Sequence, residues 1–550
     1  MTDRYQSLVP RPVAAHSEAG TYELTRDTPL VAAPGSAAAA EVVRLLLAPL
    51  RLPLPPASSG MGLVVRIDPG VTGPEAYRLR VTGDGVELSA STVDGIRHAT
   101  QTLRQLLPDA AWRSTAPPGT RWIVPCGEVT DAPALSWRGG MLDVSRHFFA
   151  KDTLLRYVDL FAMHRLNRLH LHLTDDQGWR IESRRHPRLH EVGGHRPATQ
   201  AWYDRKAGRT DGTPHGGYYT LDDLAEIAAY AAERGITLVP EIDLPGHASA
   251  LLAAYPELGV RQHNVSVGWG ISDAVVRPVP ATIRFLTEVL EELTDALPGP
   301  YVHLGGDECL LQDWVTDKET SEYMGSLGYT DPVDLFGHFL RELAGHLSSR
   351  GRRAVMWDEG YVGGGVLPDS VVTAWRGDGV ARRAAAAGYG VVRCPVYPTY
   401  FDYDQSDGPD EPLSIGGPVT LPDVAAFEPV PDGWSDEERA NVIGAQFQAW
   451  AEYIPDARHL DYMVFPRAAV FADVAWSGRP VDDYEARLAG HLRRLDAAGC
   501  AYRPLSGPLP WQAGGTGDRR RADGTPIARV REHLEKLSAQ ADVPSSLVSM

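Results

Sequence analysis

The sequence predicts an α/β architecture, a (β/α)8 barrel preceded by a smaller α/β sandwich. Three observations lead there. From Trp137 onward, short apolar runs alternate with amphipathic helical stretches, the order that builds a parallel sheet with crossover helices. Eight such runs follow one another up to Trp450, the number that closes a barrel. Polar or aromatic residues sit at or just after the end of each run, where barrels carry their chemistry. Before Trp137 the pattern is mixed and holds no such constellation.

The composition frames this reading. At 550 residues, 43% hydrophobic and 23% charged, the chain is long enough for several units with large cores. A formal charge of -18 argues against a nucleic-acid partner, which needs a basic patch. The one short basic run, Arg519 to Arg521, is isolated. No apolar run reaches membrane-spanning length. The first twenty residues show no apolar h-region or cleavage-like site, so a cytoplasmic location is expected, with secretion the alternative if the start site is misassigned. Cys126, Cys309, Cys394 and Cys500 are too scattered for a metal or disulfide framework, and neither a metal nor a cofactor is expected.

Residues 1–134 form the first, non-catalytic unit. Strands are predicted at 63–68, 76–83 and 85–92, with Gly83-Asp84-Gly85 as a hairpin turn. Helices are predicted at 37–50 and 94–107. The boundary falls near Asp131-Ala132-Pro133. Residues 135–500 form the barrel, with strands at 139–145, 166–173, 236–243, 301–306, 353–359, 371–375, 391–396 and 442–450. Helix signals fit between them. Thr220 caps a helix that Gly235 ends, apolar residues repeat at helical spacing from 282 to 297, and Asp331-Pro332 opens a helix that Gly351 stops. The irregular stretch from Asp175 to Tyr219 is expected over the mouth of the barrel. Residues 501–550 read as a partly disordered extension, with a flexible loop at 514–525 and a helix at 526–541.

The stretch Tyr301 to Glu308, YVHLGGDE, is the focus. An apolar strand runs into Gly305 and Gly306, which let backbone or ligand come close, and then into two adjacent carboxylates, Asp307 and Glu308. Taken alone, such a pair is an ordinary solvated loop. The other strand ends decide otherwise. Arg146 and His147 follow the first strand, Thr174, Asp175 and Asp176 the second, Asp243 and His247 the third. Trp357 and Asp358 end the fifth and Trp375 the sixth; Tyr400 and Asp402 lie after the seventh, Trp450 and Glu452 at the eighth. Carboxylates, an arginine and three tryptophans suit a sugar, whose hydroxyls take bidentate hydrogen bonds and whose C–H face stacks on aromatic rings. Each has a plain explanation singly: core packing for Trp375, an ion pair for Arg146, satisfied polar groups for His170 and His172. The functional reading rests on their concurrence around one mouth.

The motifs DVSRHF, HLHLTDDQGWR, EIDLPGH, HLGGDE, YFDY and WAE, in this order between Trp137 and Ser477, resemble those of the family 20 glycoside hydrolases, the retaining β-N-acetylhexosaminidases. The resemblance implies exo hydrolysis of terminal N-acetylglucosamine or N-acetylgalactosamine from oligosaccharides such as chitin fragments. It implies substrate assistance, in which the 2-acetamido oxygen attacks C1 and forms an oxazolinium, with no protein nucleophile. By match to the motifs, Glu308 is the acid/base and Asp307 the partner of the acetamido N–H. Asp175 and His247 would stand behind Glu308, and Tyr400 would bond the acetamido oxygen. Trp357, Trp375 and Trp450 would wall the pocket, while Arg146, Asp402 and Glu452 would hold the hydroxyls. An acid working near neutral pH needs burial or nearby carboxylates to hold its proton. Asp473 stands where the family commonly has Glu and is expected to be structural, and Phe401 stands where Leu is frequent. Two other readings stay open: a metal-dependent barrel hydrolase using His170 and His172, with His247 and His303 as further ligands, and an inactive sugar-binding barrel.

Overall fold

The structure, a computed structural model, describes residues 3–200, 208–513 and 527–539. The predicted flexible loop at 514–525, with its basic run, and the tail beyond 539 lie outside the described residues.

Eight parallel strands close a barrel. They are β1 (Trp137–Asp143), β2 (Arg168–His172), β3 (Thr237–Glu241), β4 (Tyr301–His303), β5 (Arg353–Trp357), β6 (Val371–Ala374), β7 (Gly390–Arg393) and β8 (Val442–Ala449). Closure is made by β8 pairing onto β1, from Gly444 opposite Trp137 to Ala449 opposite Leu142. The barrel predicted from alternation is therefore present, strand for strand. Two ends differ. The fourth strand stops at His303 because Gly305 and Gly306 both take positive φ, +67° and +102°, which extended chain cannot hold. The fifth stops at Trp357, because Asp358 and Glu359 open the short helix Asp358–Val362.

The helices start and stop where their end signals lie. Thr220 and Asp223 form a reciprocal capping box at the start of Leu221–Glu233, and Pro332–Ser349 begins behind the Asp331 cap. Pro280 occupies the first turn of Pro280–Ala296, where its missing N–H is no loss. Inside the barrel, Trp137, Val239, Val355, Val371 and Val392 pack as an apolar layer. Two residues further along β3 the side chain is Glu241, and the interior becomes polar.

The N-terminal unit is a seven-stranded mixed sheet, in the order Ala14–Leu24, Trp122–Asp131, Tyr77–Thr82, Gly85–Ala90, Leu63–Ile67, Leu30–Ala32 and Pro56–Ala57. Helices Ala37–Leu47 and Val93–Leu106 cover it, burying Val43, Leu47, Ile96, Ala99 and Leu103 against Leu63, Leu79 and Leu88. Buried charges pin it to the barrel. Arg165, just before β2, donates to Asp131 at 2.8 Å, and the Trp476 indole donates to the same carboxylate at 2.9 Å. Arg138 of β1 reaches Glu75 with two N–H groups, at 2.6 and 3.0 Å. Both arginines lie at the beginnings of strands, so this junction is at the end of the barrel away from the site. Asp473 serves the same join: buried in helix Arg467–Ser477, it accepts from the backbone of Arg11 and from the Arg487 guanidinium. Helix Ile527–Ala539 lies against the barrel flank, with the Arg531 guanidinium 5.3 Å from the Tyr397 ring centre.

Candidate active site

At the C-terminal ends of the strands lies a cavity of about 190 Å3, lined by Arg146, Asp307, Glu308, Trp357, Trp375, Tyr400, Asp402, Trp450 and Glu452, with Val396, Tyr403 and Ile415. Sites for drug-sized ligands run to roughly 300–1,000 Å3, so this one suits a single ring. Of the residues expected at the site, Asp175 and His247 alone stand behind this lining, both buried. A larger cavity of about 360 Å3 adjoins it under helix Ile527–Ala539 and shares Trp375 and Val396. There Arg393 and Arg531 are already paired with Asp378 and Glu535, so the chemistry concentrates in the smaller one.

The turn after β4 is shaped by its glycines. A Cβ on Gly305 would fall 1.7 Å from Oδ1 of Asp243, and Oδ1 itself accepts the Gly306 N–H at 3.2 Å. Glu308 and His247 are both left-handed, each with φ of 49°, a conformation that is uncommon for side chains of this kind. Such strain gathers at sites where the surroundings over-determine the geometry. Because the strand has already ended, pleat alternation does not separate Asp307 from Glu308. Both carboxylates face Nε2 of His247, at 3.9 and 3.4 Å.

Behind them runs a relay. Nδ1 of His247 lies 3.3 Å from Asp175 Oδ1 and 3.2 Å from Asp176 Oδ2. Asp175 Oδ2 in turn meets Nη2 of Arg146 at 2.7 Å and Nε2 of His172 at 2.8 Å. Burial opposes the charge on His247, but Asp175, Asp176 and Glu308 outweigh it and raise its pKa well above the usual histidine value. Burial likewise opposes the charge of Asp175, and Arg146 and His247 hold its carboxyl well below the usual range. Asp307 goes the other way. Burial, with Glu308 adding and His247 opposing, pushes it up to about 6.

The walls are pinned by their polar edges. The Trp357 indole donates to Glu241 Oε1 at 2.8 Å and that of Trp375 to Glu359 Oε2 at 2.9 Å. Asp358 accepts the backbone N–H of Trp375 at 3.0 Å and of Arg376 at 3.1 Å, fixing the end of β6. Tyr400 lies against Trp450, ring centres 6.2 Å apart, and burial raises its pKa well above 10, so it remains an O–H donor. Arg146 lies over Trp450, 4.9 Å from its centre, and donates to Gln177 at 3.0 Å and to Asp143 at 3.2 Å besides meeting Asp175. A guanidinium has five N–H groups, so each of its terminal nitrogens keeps one for a ligand.

Several buried oxygens have no protein partner: Oδ1 of Asp307, Oδ1 of Asp402, Oε2 of Glu452 and Oδ2 of Asp243. The first three belong to side chains that line the cavity. Burial and then Glu452 push Asp402 well up, while burial raises Glu452 against the pull of Arg146. Buried acceptors are normally satisfied, so such a set marks where a donor-rich ligand belongs.

The family model for the glycosyl hydrolase family 20 catalytic domain matches residues 135–479, and that for domain 2 of the same family matches residues 5–132. The chain belongs to glycosyl hydrolase family 20. Among its family 20 relatives, a beta-hexosaminidase of Porphyromonas gingivalis is 35% identical over 470 residues, covering 84% of this chain and 58% of that protein, so the chain spans little more than half of its length. A solved family 20 exo beta-N-acetylglucosaminidase of Vibrio harveyi, in complex with N-acetylglucosamine, is 30% identical with a TM-score of 0.80, covering 91% of this chain and 78% of that one. The family 20 beta-N-acetylhexosaminidase of Streptomyces coelicolor is 32% identical with a TM-score of 0.77, covering 92% and 99%.

Sequence reasoning missed the groups that hold the family 20 site together: Asp143 and Gln177 under Arg146, Glu359 on Trp375, and Glu241 with His172 beneath. Inward alternation is the signal that could have found Glu241, since it lies two residues after the inward Val239 of β3. The same carboxylate meets both histidines of the metal reading. His170 Nε2 lies 3.0 Å and His172 Nδ1 2.5 Å from Glu241 Oε2, while His170 Nδ1 accepts from Gln446 at 3.0 Å. Hydrogen bonds thus engage Nδ1 of both rings, while Nε2 of His170 faces Glu241 without hydrogen-bond geometry.

Proposed function

We propose that the chain is a retaining exo-β-N-acetylhexosaminidase, removing terminal non-reducing N-acetylglucosamine or N-acetylgalactosamine from oligosaccharides or glycoconjugates, chitin fragments among them. The observation that carries this reading is the convergence of consecutive Asp307 and Glu308 on one face of His247, at the wall of a cavity sized for one sugar.

In the first step Glu308 gives its proton to the glycosidic oxygen as the C1–O bond breaks. The acetamido carbonyl oxygen of the same sugar attacks C1 and closes the oxazolinium ring. Asp307 accepts the acetamido N–H through its free Oδ1, orienting the group and stabilising the positive charge that grows there. The Tyr400 hydroxyl donates to the acetamido oxygen and holds it on its line of attack. In the second step Glu308, now a carboxylate, takes a proton from water as that water opens the ring at C1, with net retention. Arg146, Asp402 and Glu452 bond the ring hydroxyls, and the three tryptophans exclude water. A pocket with room for a single ring supports exo action.

The test compares two aryl β-glycosides alike except at C2, one with an acetamido group and one with a hydroxyl, with and without a chelator. The acetamido substrate should be turned over alone and regardless of chelator. Equal turnover of both would mean a protein nucleophile, and loss with chelator would restore the metal reading.

A further inference from the structure

Beneath the cavity one carboxylate gathers four side chains from β2, β4 and β5. Oε2 of Glu241 accepts from Nδ1 of His172 at 2.5 Å and lies 3.0 Å from Nε2 of His170. Oε1 accepts from the Trp357 indole at 2.8 Å and lies 2.9 Å from Nδ1 of His303. All five side chains are buried. An ionised carboxylate here would be costly unless paired, and the pairing is extensive.

Of the three imidazoles, His172 is the one with a carboxylate on each ring nitrogen. Its Nε2 faces Asp175 at 2.8 Å, whereas His170 turns Nδ1 to the Gln446 amide and His303 turns Nε2 to Thr373 at 2.9 Å. A ring nitrogen this close to an ionised carboxylate, with no other donor aimed at it, carries a proton, because otherwise two lone pairs would oppose each other; His303 differs, since its Nδ1 accepts the Gly305 N–H at 3.0 Å. His172 is thus protonated on both nitrogens. Its ring also stands edge-on to Trp450, 4.9 Å between centres, which suits a cation. Burial opposes that charge, yet Glu241 and Asp175 together raise the His172 pKa well above the ordinary value.

The consequence reaches the acid. His172 and Arg146 both occupy Oδ2 of Asp175, which leaves Oδ1 to the Asp176 backbone N–H at 2.5 Å and to the His247 ring, also held by Asp176 Oδ2, and His247 carries the contact to Glu308. We propose that His172 and Glu241 are positioning residues for the acid step: the His172 imidazolium, anchored by Glu241, sets which oxygen of Asp175 meets His247, while Glu241 also fixes the Trp357 wall. The proposal rests on the assignment of Glu308 as the general acid. It gives the two residues different signatures. His172 acts mainly on proton donation; Glu241 acts on proton donation through His172 and on the sugar pocket through Trp357.

The experiment compares wild type, His172→Gln and Glu241→Gln on two aryl 2-acetamido glycosides. One has a poor leaving group such as 4-methoxyphenol; the other has 2,4-dinitrophenol, which departs without a proton. For His172→Gln, kcat/KM on the poor leaving group should fall about 10²-fold, as for a small misplacement of a catalytic group, with a loss at least about tenfold smaller on the dinitrophenyl substrate. Glu241→Gln should show the same split and in addition raise KM for both substrates. Equal losses on both substrates in folded His172→Gln would reduce the pair to ordinary packing and overturn the proposal. Near-normal turnover of the poor-leaving-group substrate by Glu308→Gln would instead overturn the assignment of the acid. Should the variants not fold, neutron diffraction of the wild-type protein at pH 8 decides: deuterons on both nitrogens of His172 support the proposal, and a single deuteron refutes it.

Discussion

Two layers of the barrel interior lie one above the other and treat charge in opposite ways. In the deeper layer Glu241, His172, Asp175 and Arg146 are all buried, and each charge meets an opposite one within 2.5 to 2.8 Å. In the upper layer Asp307 and Asp402 are buried and Glu452 is half-buried, yet all three keep buried oxygens with no partner. Electrostatics follow the pairing. Asp175 and Glu241 are held below the usual carboxyl range, while Asp307, Asp402 and Glu452 are pushed above it. The difference teaches which carboxylates belong to the framework and which await a ligand.

Substitutions sharpen the contrast. The largest expected effect is at Glu308. Glu308→Gln should lower kcat on substrates with poor leaving groups by about 10³-fold or more, the scale of a lost general acid, and steady-state kinetics on a natural disaccharide would reveal it. Near-normal turnover would remove Glu308 from its role. Next, removing the carboxylate shared by two framework cations should destabilise as well as inactivate. Asp175→Asn leaves the Arg146 and His172 charges short of a partner and should lose about 3–5 kcal/mol of stability by denaturant titration.

Asp307→Asn should lower kcat about 10²-fold with little change in KM, because the carboxylate acts on charge that develops in the transition state. It also carries a pH signature. With its pKa near 6, Asp307 is protonated and unable to serve below that value, so wild-type kcat/KM should fall as pH drops through about 6. The variant should lack this acid limb. The stability consequence has the opposite sign. A carboxyl whose folded pKa is raised favours the fold when protonated, fully so below its unfolded value, and that contribution fades as pH rises through about 6. The smallest effect belongs to Asp402→Asn. It should raise KM by about tenfold through one lost hydroxyl contact, yet raise the melting temperature slightly, since it relieves repulsion with Glu452 in the empty pocket. A fall in Tm would place Asp402 in the framework layer instead.

Much of this was legible in the sequence because the barrel repeats one simple pattern. All eight strands and the capped helices at 221–233 and 332–349 follow from apolar alternation and from end signals at Thr220 and Asp331. Strand Ala14–Leu24 was not legible, since most of it is solvent-exposed and its sequence barely alternates. The residues facing the cavity could be named because they follow strand ends. Those beneath could not, because Glu241 and His172 look like ordinary inward positions until the barrel sets β2, β3, β4 and β5 side by side. The left-handed turns at His247 and Glu308 were equally hidden, as neither is a glycine or an asparagine. Two consecutive carboxylates facing the same histidine is a property of those turns, not of a strand.

The most direct test of the two-layer distinction is a crystal structure of the wild-type protein with N-acetylglucosamine bound. Oδ1 of Asp307 should lie about 2.9 Å from the acetamido nitrogen, with the free oxygens of Asp402 and Glu452 on ring hydroxyls and Glu241 unmoved beneath. A sugar that leaves those oxygens unpartnered, or that binds outside the pocket between Trp357, Trp375 and Trp450, would contradict it.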